Sequence, residues 1–148
     1  MKLALLYNPT IREARYWAER AKERFPSAEL CTEPPDAERI IVFGGDGTVH
    51  AVANQRPQAE IAIVPCGSGN DFVKSLGIPN DPEKALQMAE GKSRCVDVVE
   101  YECERRGRFI NIAEVGFGGR VVVYATKMKP YTGQKTSYSL GILAALAG

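Results

Sequence analysis

At 148 residues, 45% of them hydrophobic and 25% charged, the chain has the composition of a soluble globular protein, which excludes disorder over its whole length. Nineteen Lys and Arg against eighteen Asp and Glu leave a net charge of +1. This is not the basic excess of a nucleic-acid binder, and no nucleic-acid partner is expected. No run of about 18 apolar residues occurs, so no transmembrane helix is predicted.

The first element is a short apolar run, Leu3 to Tyr7. It is too short for a signal peptide and reads as a strand buried on both faces. Residues 10–24 carry Ile11, Ala14, Trp17, Ala18 and Ala21 at three- and four-residue spacing, which predicts an amphipathic helix. Thr10 followed by Glu13 has the form of a capping box at its start. Pro26 ends it, and a weak strand is expected around Ala28 to Cys31. Ile40 to Phe43 and Ile61 to Val64 are two further buried strands, each followed by glycines and then a helical stretch, Val49 to Asn54 and Asn70 to Leu76. Asp81-Pro82 opens a helix running to about Glu90, with Asp81 as N-cap and Pro82 at the first position.

After Gly91 the pattern changes. Cys95 to Glu104 and Arg108 to Ala113 read as a hairpin around Arg105-Arg106-Gly107. Arg120 to Lys129 is expected to be helical, Pro130 to Thr136 a polar loop, and SYSLGILAALAG an apolar helix. Residues 1–91 therefore alternate strand and helix, the signature of a parallel α/β sheet. Residues 92–148 read as the beginning of a β-rich second domain that is incomplete in this chain. The apolar face of the terminal helix is then expected to be covered by self-association or unusual packing, or else exposed. The cysteines Cys31, Cys66, Cys95 and Cys103 form no CxxC pair, and one histidine accompanies them. They read as reduced thiols in a cytoplasmic protein.

The chemistry concentrates in two glycine-rich loops, Phe43-Gly44-Gly45-Asp46-Gly47-Thr48 and Pro65-Cys66-Gly67-Ser68-Gly69-Asn70-Asp71. Each follows a buried strand and precedes a helix, so both are expected at the carboxyl ends of strands, where doubly wound sheets bind ligands. Glycines let backbone approach a ligand, and the exposed N–H groups of a helix start favour an anion. Thr48 and Ser68 add hydroxyl donors. A carboxylate beside phosphates needs a cation or a substrate hydroxyl between them. Asp46 is therefore a candidate catalytic or Mg²⁺-linked residue, an organiser of the loop, or a turn aspartate capping the following helix. Neither loop is a Walker A or a dinucleotide fingerprint.

Together Asn8-Pro9, GGDGT at 44–48, PCGSGNDF at 65–72 and Leu76-Gly77-Ile78-Pro79 resemble the diacylglycerol kinase catalytic domain. That family includes bacterial diacylglycerol kinases, YegS-like lipid kinases, sphingosine kinases and ceramide kinases. The resemblance extends through Val96-Asp97-Val98, Phe109 to Ala113 and Gly116-Phe117-Gly118. It implies a phosphofructokinase- and NAD kinase-like α/β nucleotide-binding domain, here residues 1–91, followed by an antiparallel β-sandwich that begins in residues 92–148. It also implies transfer of the γ-phosphoryl group of ATP, with Mg²⁺, to a diacylglycerol-like or sphingoid lipid hydroxyl. Asn8, Gly45, Asp46, Gly47, Thr48, Gly67, Ser68 and Asn70 would line the nucleotide site, with Gly44 and Gly69 in the same loops. Asp97 falls where related lipid kinases place an acidic residue near magnesium.

Three departures accompany the resemblance. The family's Ser/Thr-Gly after Asn-Pro is Thr10-Ile11-Arg12 here, with Thr10 and Arg12 as partial substitutes. The family's Glu after GGDGT is Ala51. The family also continues beyond the length of this chain, and no residue is nominated here as general base. These departures keep a non-catalytic nucleotide-binding module, or degenerate kinase, as the alternative, with an NAD kinase-like enzyme behind it. His50 reads as a helix residue, Tyr16 and Trp17 as packing residues, and Arg105 to Arg108, Lys127, Lys129 and Lys135 as surface charges. A lipid substrate implies transient contact with a membrane surface.

Overall fold

The structure, a computed structural model, describes residues 2–56 and 58–147, without the side chains of residues 134 and 135. Gly148 and the side chain of Lys135 thus lie outside the described residues. The chain divides into two compact units, Met1–Asn111 and Ile112–Gly148.

The first unit is built on four parallel strands, β1 (Leu3–Tyr7), β2 (Glu29–Cys31), β3 (Arg39–Gly44) and β4 (Glu60–Pro65), in the order β2-β1-β3-β4. The helices are α1 (Arg12–Arg24), α2 (Asp46–Gln55), α3 (Asp71–Leu76) and α4 (Pro82–Met88). The predicted α/β alternation is therefore observed. Its order has a physical consequence. From β1 the chain winds to β2 in one direction, and from β3 to β4 in the other. Right-handed crossovers then place α1 and α2 on opposite faces of the sheet.

The two-residue period of the strands divides the core accordingly. Leu5, Ile41, Phe43 and Val64 face α1 and α4, packing with Ala14, Ala18, Ala21 and Leu86. Leu6, Ile40, Val42 and Ile63 face α2 and α3, packing with Val49, Val52, Phe72 and Val73. Three alanines on α1 let that helix lie close on the sheet, and Trp17 seals the edge of the cluster, half-buried. Its neighbour Tyr16 is exposed and shares Arg20 with it through cation–π contacts.

The helix starts differ in part from the sequence expectation. The capping box does not form. Helix α1 begins at Arg12 behind Ile11, with no side-chain cap, because the Thr10 backbone N–H and hydroxyl both donate to Asn8 Oδ1. Thr10 thus closes a turn after β1 rather than capping a helix. Asp81 does cap α4, accepting from the Lys84 N–H at 3.0 Å, but the helix ends at Met88, short of Glu90.

The hairpin after Gly91 forms as β5 (Val99–Glu102) and β6 (Arg106–Phe109), antiparallel, with cross-strand pairs Arg106–Glu102 and Arg108–Glu100 at its exposed tip. It belongs to the first unit. Ile110 packs on the α2 side of the core, and the Asn54 amide on α2 bonds both the N–H and the carbonyl of Arg108 at 3.0 Å. The compact unit consequently extends past residue 91, to Asn111.

The second unit consists of two helices, α5 (Phe117–Thr132) and α6 (Gln134–Ala147). The polar loop expected at Pro130 to Thr136 is replaced by a single turn residue, Gly133, with φ 73°. Pro130 is accommodated within the last turn of α5. No helix among the described residues is long and apolar enough to cross a membrane.

Candidate functional site

The C-terminal ends of β1, β3 and β4 carry Asn8, the Gly44–Thr48 loop and the Cys66–Asn70 loop, respectively. The strand order reverses direction between β1 and β3, and a doubly wound sheet opens its ligand crevice at such a point. Asn8 and Thr48 meet there. The Asn8 backbone N–H extends the β1–β3 ladder to the Phe43 carbonyl, and its Nδ2 donates to Thr48 Oγ1 at 3.1 Å. Asn8 therefore holds Thr10 through its oxygen and Thr48 through its nitrogen.

The two glycine loops interlock through their backbones. The Cys66 N–H continues the sheet to the Gly44 carbonyl at 2.9 Å, and the next residue brings Gly67 onto Gly45. A Cβ on Gly67 would stand 2.5 Å from the Gly45 Cα, and one on Gly45 would stand 3.0 Å from the Gly67 Cα. Only glycine at both positions permits this approach. Gly47 differs, since a Cβ there would meet nothing within 4 Å and would project into open space.

Asp46 links the loops a second time. Its Oδ2 accepts the Asp71 N–H at 3.1 Å and its Oδ1 the Phe72 N–H at 3.0 Å. It sits in the first turn of its own helix, α2, but caps α3 instead. Of the readings open for Asp46, the structure favours the organiser, reaching across 26 residues to bind a helix N-terminus. The consequence for anion binding is direct. The start of α3 is occupied by a carboxylate, whereas the first-turn N–H groups of Asp46 and Gly47 on α2 meet no acceptor among the described residues.

Asn70 shapes the second loop. It is buried, with φ 52° and ψ 42°, the left-handed conformation that Asn tolerates better than most residues. Its side chain does not cap α3. It turns back, accepting from the Gly67 N–H at 3.1 Å and donating to the Gly67 carbonyl at 2.8 Å and to Asn80 Oδ1 at 2.9 Å. Ser68 is exposed on the loop, and Gly69 lies under the Asp46 and Asp71 carboxylates.

The structure thus gathers Asn8, Thr10, Gly44, Gly45, Asp46, Thr48, Gly67 and Asn70 into one bonded framework. Asp97 is not part of it. It is exposed in the segment between α4 and β5, and no group of three or more His, Cys, Asp or Glu side chains assembles among the described residues. A single carboxylate with spare lone pairs suits Mg²⁺, which keeps waters and binds through one or two carboxylates plus phosphates rather than in an all-protein cage. Asp46 is therefore the residue that fits the ion.

His50 is exposed on α2, its Nε2 3.4 Å from the Asn54 amide nitrogen. All four cysteines are free, and burial pushes the Cys66 thiol up to about 12 and Cys31 up to about 11. Cys66 therefore stays protonated beside the loop and serves as packing. Two residues escaped the sequence reading, Asn80 as partner of Asn70 and Asn54 as the clamp on β6. Neither lies in a glycine loop, and an isolated Asn carries no local signal of a long-range partner.

The diacylglycerol kinase catalytic domain profile matches residues 3–101. Among curated relatives, "Probable lipid kinase YegS-like" of Enterobacter sp. (strain 638) is 43% identical over 91 residues, covering 57% of this chain and 30% of the relative. The protein of the same name from Pseudomonas aeruginosa PAO1 is 33% identical over 120 residues, covering 70% of this chain and 39% of the relative. Among solved structures, a diacylglycerol kinase from Bacillus anthracis str. Sterne superposes with a TM-score of 0.54 at 26% identity, over 66% of this chain and 42% of that one. The matched stretch therefore spans less than half the length of these relatives. Matched over its sheet and its glycine loops, the chain belongs to the diacylglycerol kinase catalytic domain family.

Proposed function

We propose that the chain binds ATP at the α2 N-terminus as part of a lipid kinase acting on a diacylglycerol-like or sphingoid hydroxyl at a membrane surface in the cytoplasm. The supporting observation is the interlock of Gly45 with Gly67, fixed by Asp46 on α3, which leaves the α2 start as the open anion site. In this reading the Asp46 and Gly47 N–H groups receive phosphate oxygens. Gly45 and Gly67 keep side chains away from them, and Asn8 holds the Thr48 hydroxyl toward the crevice. Asp46 holds Mg²⁺ from its free lone pairs, and the ion supplies charge neutralisation of the phosphates. Asp97 is a second candidate for the ion.

The test is a thermal shift with ATP and Mg²⁺, followed by transfer of labelled γ-phosphoryl to diacylglycerol and sphingosine in mixed micelles. A raised midpoint with labelled lipid supports the reading, and no shift at any nucleotide concentration overturns it. One observation favours a second reading. Ala51, half-buried on α2, brings no acid to the site where the resemblance places Glu. A nucleotide-induced shift with no labelled product on any lipid would establish a non-catalytic nucleotide-binding module.

A further inference from the structure

The second glycine loop is fastened to a segment that carries none of the loop motifs. Asn70 uses both hydrogens of its amide. One goes to the Gly67 carbonyl at 2.8 Å and the other to Asn80 Oδ1 at 2.9 Å, while its own Oδ1 accepts the Gly67 N–H at 3.1 Å. The bonds to Gly67 stay within the loop, and the bond to Asn80 leaves it. Asn80 is held in place by its own surroundings. Gly77, with φ 71°, turns the chain back at the end of α3, and the Ile78 N–H closes that turn on the Val73 carbonyl at 3.0 Å. Pro79 and Pro82 bracket Asn80-Asp81 and restrict the backbone on both sides. Asp81 is extended, with φ −117° and ψ 117°, and caps α4. Leu86 and Ala89 seat that helix on the α1 face of the sheet, whereas Phe72 and Val73 seat α3 on the α2 face. Asn80 thus stands where the chain crosses from one face to the other, next to a helix start anchored in the core.

What Asn70 fixes is the contact between the two loops. Its Oδ1 stands 2.7 Å from where a Cβ on Gly67 would be and 3.7 Å from where one on Gly45 would be. The carboxamide therefore lies beside both glycines of the interlock, and Gly45 is the residue at which α2 begins. We propose that Asn80 is a positioning residue for the nucleotide site: by accepting from Asn70 it holds Gly67 against Gly45 and so sets the α2 N–H groups. This rests on the nucleotide reading above, in which those groups receive phosphate oxygens. Asn80 touches no phosphate and acts through Asn70. Without its acceptor, Asn70 loses the partner that ties its left-handed backbone to α4, and the loop samples other positions. The apparent affinity for nucleotide then falls with the fraction of chains whose loop is in place.

The test compares two substitutions of similar shape in the full chain. Asn80→Asp keeps an oxygen for the Asn70 amide, and Asn80→Leu removes it. Asn80 is exposed, so neither change disturbs the core. ATP affinity with Mg²⁺ is measured by titration calorimetry at a temperature where each variant is fully folded, at low and at raised salt, so that the added charge of Asp is screened. Asn80→Leu is expected to weaken binding about fivefold, and Asn80→Asp, at raised salt, to stay within about twofold of the parent chain. Without nucleotide, amide exchange at Gly67 should accelerate in Asn80→Leu and not in Asn80→Asp, while the Cys66 N–H, bonded to the Gly44 carbonyl in the sheet ladder, stays protected in both. A merely structural residue would lower the thermal midpoint and leave the affinity of the folded chain and the Gly67 exchange unchanged, and that result overturns the proposal. Equal losses in the two variants overturn it as well, since the acceptor would then not be what matters. Absence of ATP binding in the parent chain is a failure of the nucleotide reading, and the Gly67 exchange still decides whether Asn80 positions the loop.

Discussion

Two glycines, one in each loop, have opposite physical roles, and substitution separates them. Gly67 is pressed against the Gly45 backbone, which cannot yield as a side chain can. Gly67→Ala is expected to cost about 1–3 kcal/mol by overpacking, seen as a lower thermal midpoint. Gly47 lies within α2 with open space around its Cα. Gly47→Ala is expected to raise stability by roughly 0.5–1 kcal/mol and yet to weaken the nucleotide-induced shift, because the new methyl group projects where the phosphates are proposed to sit. A variant that is stabilised and binds ATP unchanged would remove Gly47 from the site. Asn70 offers a similar separation. Asn70→Gly keeps the left-handed backbone but loses three hydrogen bonds, two of them to Gly67. Asn70→Ala loses the same bonds and adds backbone strain, so it is expected to be less stable than Asn70→Gly by about 1 kcal/mol, measured by urea unfolding. Equal stability of the two variants would mean that the φ of 52° carries no cost.

Between elements, most of the stabilising links are single side chains that join segments distant in sequence. Arg39 at the start of β3 pairs with Glu60 at the start of β4 and reaches the Ala89 carbonyl just past α4, while Ser93 donates to the other Glu60 oxygen at 2.7 Å. The hydrogen bonds from Ser93 and Arg39 hold the Glu60 carboxyl below its ordinary value of 4.5. A carboxyl depressed in the folded state stabilises above its unfolded pKa, and that contribution is lost as pH falls through the folded one. The thermal midpoint of the chain should therefore exceed that of Glu60→Gln at pH 7, and the gap should close on acidification below 4.5. A gap independent of pH would assign the effect to packing. Asn54 makes the other link. Asn54→Ala removes the acceptor of the Arg108 N–H, and amide exchange at Arg108 is expected to accelerate while the β3 amides remain protected. Links of this kind also mark where the sequence stops being legible. The strands are read from continuous apolar runs, and Asp81-Pro82 from local capping chemistry. Asp46 on α3, Asn54 on β6 and Asn70 on Asn80 join residues 25, 54 and 10 apart at their nearest, and no local pattern encodes the partner. Thr10 illustrates the same limit, since a competing acceptor, Asn8, captures the cap that the spacing predicts. Pro130 reads as a breaker, yet it sits in the last helical turn, where few further hydrogen bonds depend on its missing N–H.

Over the whole molecule, the two compact units carry different chemistry. The first holds the sheet, both core clusters, both glycine loops and the hairpin. The second shows two helices and no strand among its described residues. If nucleotide binding depends only on the framework around Asn8, Asp46 and Gly67, the first unit is sufficient for it. A chain comprising residues 1–111 is therefore expected to unfold cooperatively, with Trp17 fluorescence reporting its core, because that side chain packs on the α1 face of the sheet. It should retain the midpoint shift produced by ATP and Mg²⁺ in the full chain, since binding to the native state raises stability by an amount set only by ligand concentration and affinity. Loss of the nucleotide shift in the shortened chain, with Trp17 still unfolding cooperatively, would show that residues beyond Asn111 complete the nucleotide site.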